Sequence, residues 1–412
     1  MTATKMPLSL RAYLGATRVV PLIATRHLKR RVARGKEHPT RWTEKRGEPS
    51  IARPRGTLIW LHAVGLGEVL SLRGLITEMA QNCDAHFLVT SSTRAGAQAF
   101  ADNAPPRTIH QFLPLDAPTY RRRFLDHWQP DLCIWAEQDI WPGFVVDLAQ
   151  RGIPQCLIAA RMDAKSYAKH ARSQPTFAFI YDQMRMITAQ DAQTADHLAK
   201  LGAKAVTITG SLKSSAPPLQ CDVEELKQLR EITAGRFIWA TAPAHPADVA
   251  LALAAHADLM QTKPDALLII APRFPDEPID IALPHTNRAA GEGPTAAVWV
   301  MDTFGELGLV YRLAQAALIG GTHNDTEGHN PWEAVALDTA ILHGPRTANF
   351  ASDFNALDEN GAIGVRSARE IVDALNSDLP ALAAASNDLR KTLADQTKTL
   401  SHALSEMVCN HV

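Results

Sequence analysis

Four clusters of reactive or ligand-binding side chains stand directly after apolar runs. The first is His62-Ala63-Val64-Gly65-Leu66-Gly67-Glu68. Its two glycines permit a tight turn and close backbone approach to a ligand. Glu68 opens a stretch of helix-type spacing, where the macrodipole favours an acid. An acid at that position is either a helix cap or a base aimed at a ligand. The glycine spacing is not GxGxxG, so the dinucleotide fingerprint is absent. The second cluster, Glu137-Gln138-Asp139-Ile140-Trp141-Pro142, sets two acids beside a Trp-Pro turn. They either frame a polar substrate or cap the next helix. In the third, Ala271-Pro272-Arg273-Phe274-Pro275, prolines on both sides stiffen the loop that carries Arg273. A guanidinium held this way suits a phosphate or carboxylate through paired hydrogen bonds; the other reading is a plain surface arginine.

The fourth cluster is the richest. Gly320-Gly321-Thr322-His323 is followed by Glu327-Gly328-His329-Asn330-Pro331-Trp332-Glu333. Pro331 stands where a helix would begin, and such a helix start offers unpaired amides to an anion. Glu333, in its first turn, would accept from ligand hydroxyls. His323, His329 and Glu333 lack HExxH spacing or a thiol partner, so no metal is expected. The chain contains no GxSxG, no P-loop and no cysteine in a nucleophile's context. It carries no nucleic-acid module either.

The elements that position these clusters read as a parallel sheet repeated twice. Thr57–His62, His86–Thr90, Leu132–Trp135 and Gln155–Ala159 look like buried strands, with helical spacing over Val69–Gln81 and Phe144–Gln150. Phe237–Ala240, Ala266–Ala271, Val298–Met301, Ala316–Ile319 and Ala340–Leu342 form a second series. Alternating strands and helices argue for doubly wound α/β domains, here two of them facing a cleft. Ser214–Pro218 is the best linker, and an amphipathic stretch starts at Asp222. Ligands in such sheets bind beyond the carboxyl ends of strands, which is where the four clusters fall. The expected organisation is an arm over 1–36, domains over 37–215 and 216–390, and a C-terminal helix over 391–412.

With 412 residues, 46% hydrophobic and 21% charged, the chain has the composition of a globular protein. Disordered, fibrous and multi-span membrane classes are excluded. Five scattered cysteines, odd in number, argue against a disulfide framework and for a chain that faces the cytosol. The 42 basic and 43 acidic residues are unevenly spread. Residues 1–55 carry a net of +11 and the remainder −12, an acidic body that argues against nucleic acid. Within this arm Leu8–Thr25 is apolar but is interrupted by Arg11 and Arg18, and a dense basic run follows. It is too short for a confident bilayer span and lacks a secretory signal's apolar core. Such a segment can lie in the headgroup region with its cations against anionic lipid.

Taken in order, these motifs resemble the 3-deoxy-D-manno-octulosonic acid (Kdo) transferases of lipopolysaccharide synthesis. The likeness runs from about Arg34 to Phe350: RGKEHPTRWTEKRGEP (34–49), HAVGLGE (62–68), LPLDAP (113–118), EQDIWP (137–142), TGSLK (209–213), APR (271–273), GELGLVY (305–311), GG (320–321), GHNPWE (328–333) and GPRTANF (344–350).

The resemblance implies an inverting, metal-independent GT-B glycosyltransferase. It would move Kdo from CMP-Kdo to a lipid A precursor (lipid IVA) at the cytoplasmic side of the inner membrane. The family's base falls on Glu68 and its second acid on Glu137. Its donor-binding residues fall on Lys213, Pro272, Arg273, Phe304, Gly305, Glu306, Asn330, Pro331, Trp332 and Glu333. Several positions depart from the family pattern. Gly65-Leu66 replaces Ser-Val, Phe274 replaces His after Pro-Arg, and Phe304 replaces Met before Gly-Glu. The family's Ser-Thr-His-x-Gly-Glu loop survives only as Pro243-Ala244-His245-Pro246-Ala247-Asp248. The alternatives are a transferase of the same fold with another nucleotide sugar or acceptor, and an inactive paralogue that binds nucleotide or lipid.

Overall fold

The computed structural model describes residues 5–101 and 104–409. The chain divides into two units: one formed by the residues up to Ser215 together with those from Leu393 onward, and one spanning Ala216–Thr392. The first contains β1 (Thr57–His62), β2 (Ala85–Ser91), β3 (Thr108–Phe112), β4 (Leu132–Ala136), β5 (Gln155–Ala160), β6 (Met186–Ala189) and β7 (Thr207–Ile208). They form one sheet in the order β3-β2-β1-β4-β5-β6-β7, every pairing parallel. The second contains β8 (Ile238–Ala244), β9 (Leu267–Pro272), β10 (His285–Asn287), β11 (Val298–Val300), β12 (Ala316–Ile319), β13 (Ala340–His343) and β14 (Ile363–Gly364). Their order is β10-β11-β9-β8-β12-β13-β14, again parallel throughout.

Burial on both faces explains why the strand runs are continuously apolar. In β1, Leu58 and Trp60 join one core layer while Ile59 and Leu61 join the other. The Trp60 ring meets Phe124, Trp135 and Phe144 at centroid distances of 4.9, 5.3 and 5.3 Å. The register places His62 beside Thr90 and Trp135, so the ends of β1, β2 and β4 line up. All nine expected strands form, with ends shifted by a few residues. The largest shift extends β8 to Ala244, so that His245 directly follows a strand.

The strands that the apolar runs did not reveal are β3, β6, β7, β10 and β14. Strand β3 is polar in composition, and buried Gln111 within it accepts a hydrogen bond from Trp128 Nε1 at 2.8 Å. The others have only two to four residues, too few to show a period. The helices expected from Val69 and Phe144 begin earlier, as Leu66–Asn82 and Pro142–Gln150. The C-terminal helix starts at Leu379, not near 391, and runs to Cys409.

The arm forms helices Leu8–Ala16 and Val20–Ala33. Leu10, Ala24 and Leu28 are buried, Ala24 against Ala117 and Tyr120. Tyr13 donates its hydroxyl to Asp116 at 2.6 Å. Leu8, Val19, Leu22 and Ile23 are exposed. Among the described residues no helix is long and apolar enough to cross a membrane. Cys133, Cys156 and Cys221 are free thiols. Cys83 is disulfide-bonded, a bridge not foreseen by the reading of the scattered cysteines as thiols of a chain that faces the cytosol.

Candidate active site

In the first unit, the loops after the neighbouring strands β1 and β4, and the turn that follows the edge strand β7, carry charges that are already paired. Glu68 lies in the first turn of Leu66–Asn82, and its Oε2 accepts from the N–H groups of Val64 at 2.9 Å and Gly65 at 3.2 Å. Two helix-start amides are thereby satisfied, as in a capping box. Its Oε1 has no partner among the described residues. The side chain is half-buried. Glu68 is therefore a cap by its contacts, with one oxygen still uncommitted.

Directly after β4, Glu137 adopts φ +59° and its N–H bonds to Ile158 O at 3.0 Å. Its carboxylate meets Lys213 Nζ at 3.1 Å, both side chains being almost fully buried. Lys213 sits in the short turn Leu212–Ser215, which packs on the Glu68 helix at Gly74. A Cβ at Gly74 would lie 2.5 Å from Ser215 O, so only glycine admits this approach. The second acid of the motif, Asp139, receives His62 Nε2 at 2.9 Å and Trp141 Nε1 at 2.8 Å. Burial works to raise its carboxyl, but the His62 and Trp141 contacts hold it below the ordinary range. His62 in turn contacts Thr90 Oγ1 at 2.9 Å.

The second unit assembles a different set at the ends of β8, β9 and β12. Buried Asp248 accepts from the N–H of His245 at 3.0 Å and of Gly321 at 2.7 Å. Its Oδ1 lies 3.5 Å from His323 Nδ1 and has no hydrogen-bond partner among the described residues. Gly320 lies so close to this loop that a Cβ would fall 1.7 Å from Pro243 O, which explains the Gly-Gly exit. His245 and His329 face each other, Nε2 to Nε2 at 2.8 Å, with rings within 6° of parallel. Burial lowers both, and the nearby Arg273 charge adds to the effect; His329 falls to about 4. One neutral ring therefore donates to the other.

Glu333 keeps a little accessible surface but is closely surrounded by protein, and desolvation pushes its carboxyl up to about 7. Its recorded partner is Asn330 Nδ2 at 3.4 Å. Trp332 is buried with Nε1 bonded to Asp353 at 2.7 Å. Pro272 ends β9, and Arg273 follows, exposed, with its N–H on Ala244 O at 2.8 Å and its guanidinium 5.3 Å from the Phe274 ring. A cavity of about 400 Å³ opens beside His245, Pro272 and Phe274. Phe304 is exposed and Gly305 has φ +85°. Glu306 precedes the helix Leu307–Leu313 and is held by Thr303 and by Arg288 at 2.8 Å. Arg288 also reaches Glu225 at 2.5 Å. Burial opposes ionisation of Glu306, but the Arg288 and Thr303 contacts outweigh it and lower its carboxyl.

Thus the structure brings Glu137 to Lys213, and Arg273 near the His245–His329 pair. Among the described hydrogen bonds and ion pairs, Glu306 joins neither Arg273 nor Glu333. One expectation is corrected. The helix after Asn330 is a single turn, Trp332–Val335, and Asn330 Oδ1 already accepts from the Trp332 N–H at 3.1 Å. It does not provide a row of open amides for an anion. Sequence reasoning passed over the pairing of His62 with Asp139 and of His245 with His329, because neither pair shares a local spacing. The one local signal was His245-x-x-Asp248 after an apolar run, a cap pattern. Among the described residues no group of three or more His, Cys, Asp or Glu side chains converges for metal.

The family described as "3-Deoxy-D-manno-octulosonic-acid transferase (kdotransferase)" matches residues 40–216. A probable mitochondrial 3-deoxy-D-manno-octulosonic acid transferase of Arabidopsis thaliana is 30% identical over 368 residues, 84% of this chain and 82% of that protein. The 3-deoxy-D-manno-octulosonic acid transferase of Haemophilus influenzae is 29% identical over 350 residues, 82% and 81% of the two chains. A solved glycosyltransferase from Rickettsia africae is similar with a TM-score of 0.52 at 9% identity, over 87% of this chain and 100% of that one. An Anabaena protein solved with UDP gives 0.54 at 9% identity, over 85% and 100%. At such identities these two report the fold alone, and with the two parallel sheets they define it as GT-B. The chain belongs to the Kdo transferase family and is a GT-B glycosyltransferase that transfers Kdo.

Proposed function

We propose that the enzyme transfers Kdo from CMP-Kdo to the glucosamine disaccharide of a lipid A precursor, lipid IVA, with Glu68 as general base. A sugar hydroxyl is a poor nucleophile, so a carboxylate must take its proton as attack proceeds. The hydroxyl oxygen bonds to the anomeric carbon, the bond to the CMP phosphate breaks, and its electron pair leaves with CMP. One displacement inverts the centre. The observation that carries the base assignment is the anchoring of Glu68 by Oε2 alone, which leaves Oε1 to receive the proton from a fixed position.

CMP departs as an anion and needs charge stabilisation more than an acid. Exposed Arg273 beside two neutral imidazoles supports a role in meeting the donor's phosphate. Pro272, Phe304, Gly305, Glu306, Asn330, Pro331, Trp332 and Glu333 are proposed to line the donor site around it. Glu333, carrying a proton part of the time near neutral pH, would both donate to and accept from hydroxyls. Lys213 would share its charge between Glu137 and the donor. No metal is required by this scheme. The exposed Leu8, Leu22 and Ile23 of the arm, flanked by its cations, are proposed to hold the enzyme on the cytoplasmic face of the inner membrane.

The test is incubation of CMP-Kdo with a tetraacylated lipid A precursor, with and without chelator, read by product mass. A gain of one or more Kdo units in both arms is expected. CMP binding without any product would overturn the acceptor. In the same assay Glu68→Gln, which keeps an accepting oxygen for the cap, should lower kcat about 10²–10⁴-fold with CMP affinity retained. Undiminished turnover would remove Glu68 from the chemistry.

A further inference from the structure

His62 is a buried imidazole that the chemistry proposed above does not use. It is the last residue of β1 and is fully buried. Its Nδ1 lies 2.9 Å from Thr90 Oγ1, which also accepts from Trp60 Nε1 at 2.8 Å. Its Nε2 lies 2.9 Å from Asp139 Oδ2. A carboxylate only accepts, so Nε2 carries the hydrogen and donates it. The same oxygen of Asp139 accepts from Trp141 Nε1 at 2.8 Å. A buried ring with both nitrogens engaged is held in one orientation, and it holds Asp139 in turn.

The sheet brings the pair together. Strands β1 and β4 are parallel neighbours with His62 opposite Trp135, and their rings meet edge to face at 5.8 Å. Asp139 follows four residues after Trp135, past the positive-φ turn at Glu137. The two acids of this loop then differ in what can reach them. Glu137 is 4% exposed and faces Lys213. Asp139 is 32% exposed. Its hydrogen bonds fall on Oδ2, and Oδ1 has no partner among the described residues. Burial works to raise the Asp139 carboxyl, but the His62 and Trp141 contacts keep it ionised below the ordinary range, so it meets a ligand as an acceptor. Glu68 repeats the pattern a few residues after His62: Val64 and Gly65 occupy its Oε2 and leave Oε1 open. Two carboxylates gathered at the end of β1, each anchored through one oxygen, suit two hydroxyls of one sugar.

We propose that Asp139 is a second acceptor-binding carboxylate, taking a hydrogen bond from an acceptor-sugar hydroxyl through Oδ1, and that His62 is the positioning residue that fixes it. The assignment rests on the sugar acceptor proposed above. Asp139 takes no proton in this scheme. It orients the sugar by one hydroxyl so that another meets Glu68, and its loss shows in the acceptor KM.

The experiment measures initial rates of Kdo transfer by the full-length protein, varying the tetraacylated lipid A precursor and then CMP-Kdo. Asp139→Asn must turn its amide oxygen toward His62 and Trp141, which leaves an NH2 group, a donor, where Oδ1 accepted. It should raise the acceptor KM about tenfold and leave the CMP-Kdo KM unchanged. His62→Asn keeps a polar group near Thr90 but is too short for Asp139, and should raise the acceptor KM by up to the same factor. His62→Gln, whose amide N–H can take the place of Nε2, should recover most of the loss. The double variant His62→Asn with Asp139→Asn should be no worse than Asp139→Asn alone, since both act on one contact. Thermal unfolding of each variant checks that the fold persists; a merely structural His62 would lower stability and kcat and leave the acceptor KM unmoved. An unchanged acceptor KM in Asp139→Asn, with wild type active, would overturn the acceptor contact. A rise in Asp139→Asn that His62→Asn does not share would overturn the positioning role. Absence of product from wild type would overturn the acceptor reading itself, and this assignment with it.

Discussion

The two units share a seven-stranded parallel sheet and gather polar groups beyond its carboxyl ends, yet they treat charge in opposite ways. The first compensates its ions internally. Glu137 is matched by Lys213, Asp139 by His62, and Glu68 by two backbone amides. The second pairs Glu306 with Arg288 in the same way, but around Arg273 it suppresses charge: His245 and His329 are held neutral, Glu333 titrates near 7, and Arg273 stands exposed. The physical reason lies in what each surface carries before any ligand arrives. An internally paired ion needs no ligand to offset its desolvation, whereas neutral groups around one accessible guanidinium leave room for an incoming anion. The same topology can thus carry internally balanced charges on one unit and a largely neutral set around an exposed cation on the other.

The comparison breaks most readily at Lys213. Lys213→Ala removes the ion-pair partner of the buried Glu137 carboxylate and should cost about 3–5 kcal/mol in urea denaturation. The double variant Lys213→Met with Glu137→Gln should recover much of that loss. A cost under about 1 kcal/mol would reduce the pair to a surface bridge.

Next comes the pH dependence of Glu333. The folded protein retains a proton that the unfolded chain gives up above about 4.5, so stability falls as pH rises from about 4.5 to about 7 and then levels. Glu333→Gln removes that decline. It should match wild type at pH 4 and exceed it by roughly 2–3 kcal/mol at pH 8. Parallel stability curves for the two proteins would make Glu333 an ordinary carboxylate and erase the contrast.

The smallest effect is expected at Arg273. Arg273→Ala should weaken CMP binding about tenfold and leave stability within about 0.5 kcal/mol, with Arg273→Lys recovering only part of the affinity. Unchanged CMP affinity would place this guanidinium outside the donor site.

Much of the fold was legible because a strand covered on both faces leaves an unmistakable apolar run. TLIWLH and LCIW became β1 and β4 for that reason. TIHQF hid β3, since its composition is polar and the side-chain oxygen of buried Gln111 accepts from the indole of Trp128. The site divides similarly. The loops carrying Glu68, Glu137, Arg273 and Glu333 could be found from their positions after strands. The reversal in Glu333, from hydroxyl acceptor to a group that holds a proton, could not, because desolvation is set by neighbours far along the chain. The helix after Asn330 is one turn, and its first amide is already taken by the Asn330 side chain, a contact that no spacing showed.

The chain by itself determined that there would be two parallel sheets, which loops would sit at their functional ends, and which residue types those loops would carry. These follow from near-neighbour spacing, turn chemistry and apolar continuity. Only the tertiary structure decided which charges would survive there. Lys213 reaches Glu137 because Gly74 lets its turn approach the helix, and His245 meets His329 because β8 and β12 are neighbours in the sheet. Pair distances and desolvation depend on what the fold packs around a group, and no local spacing encodes that.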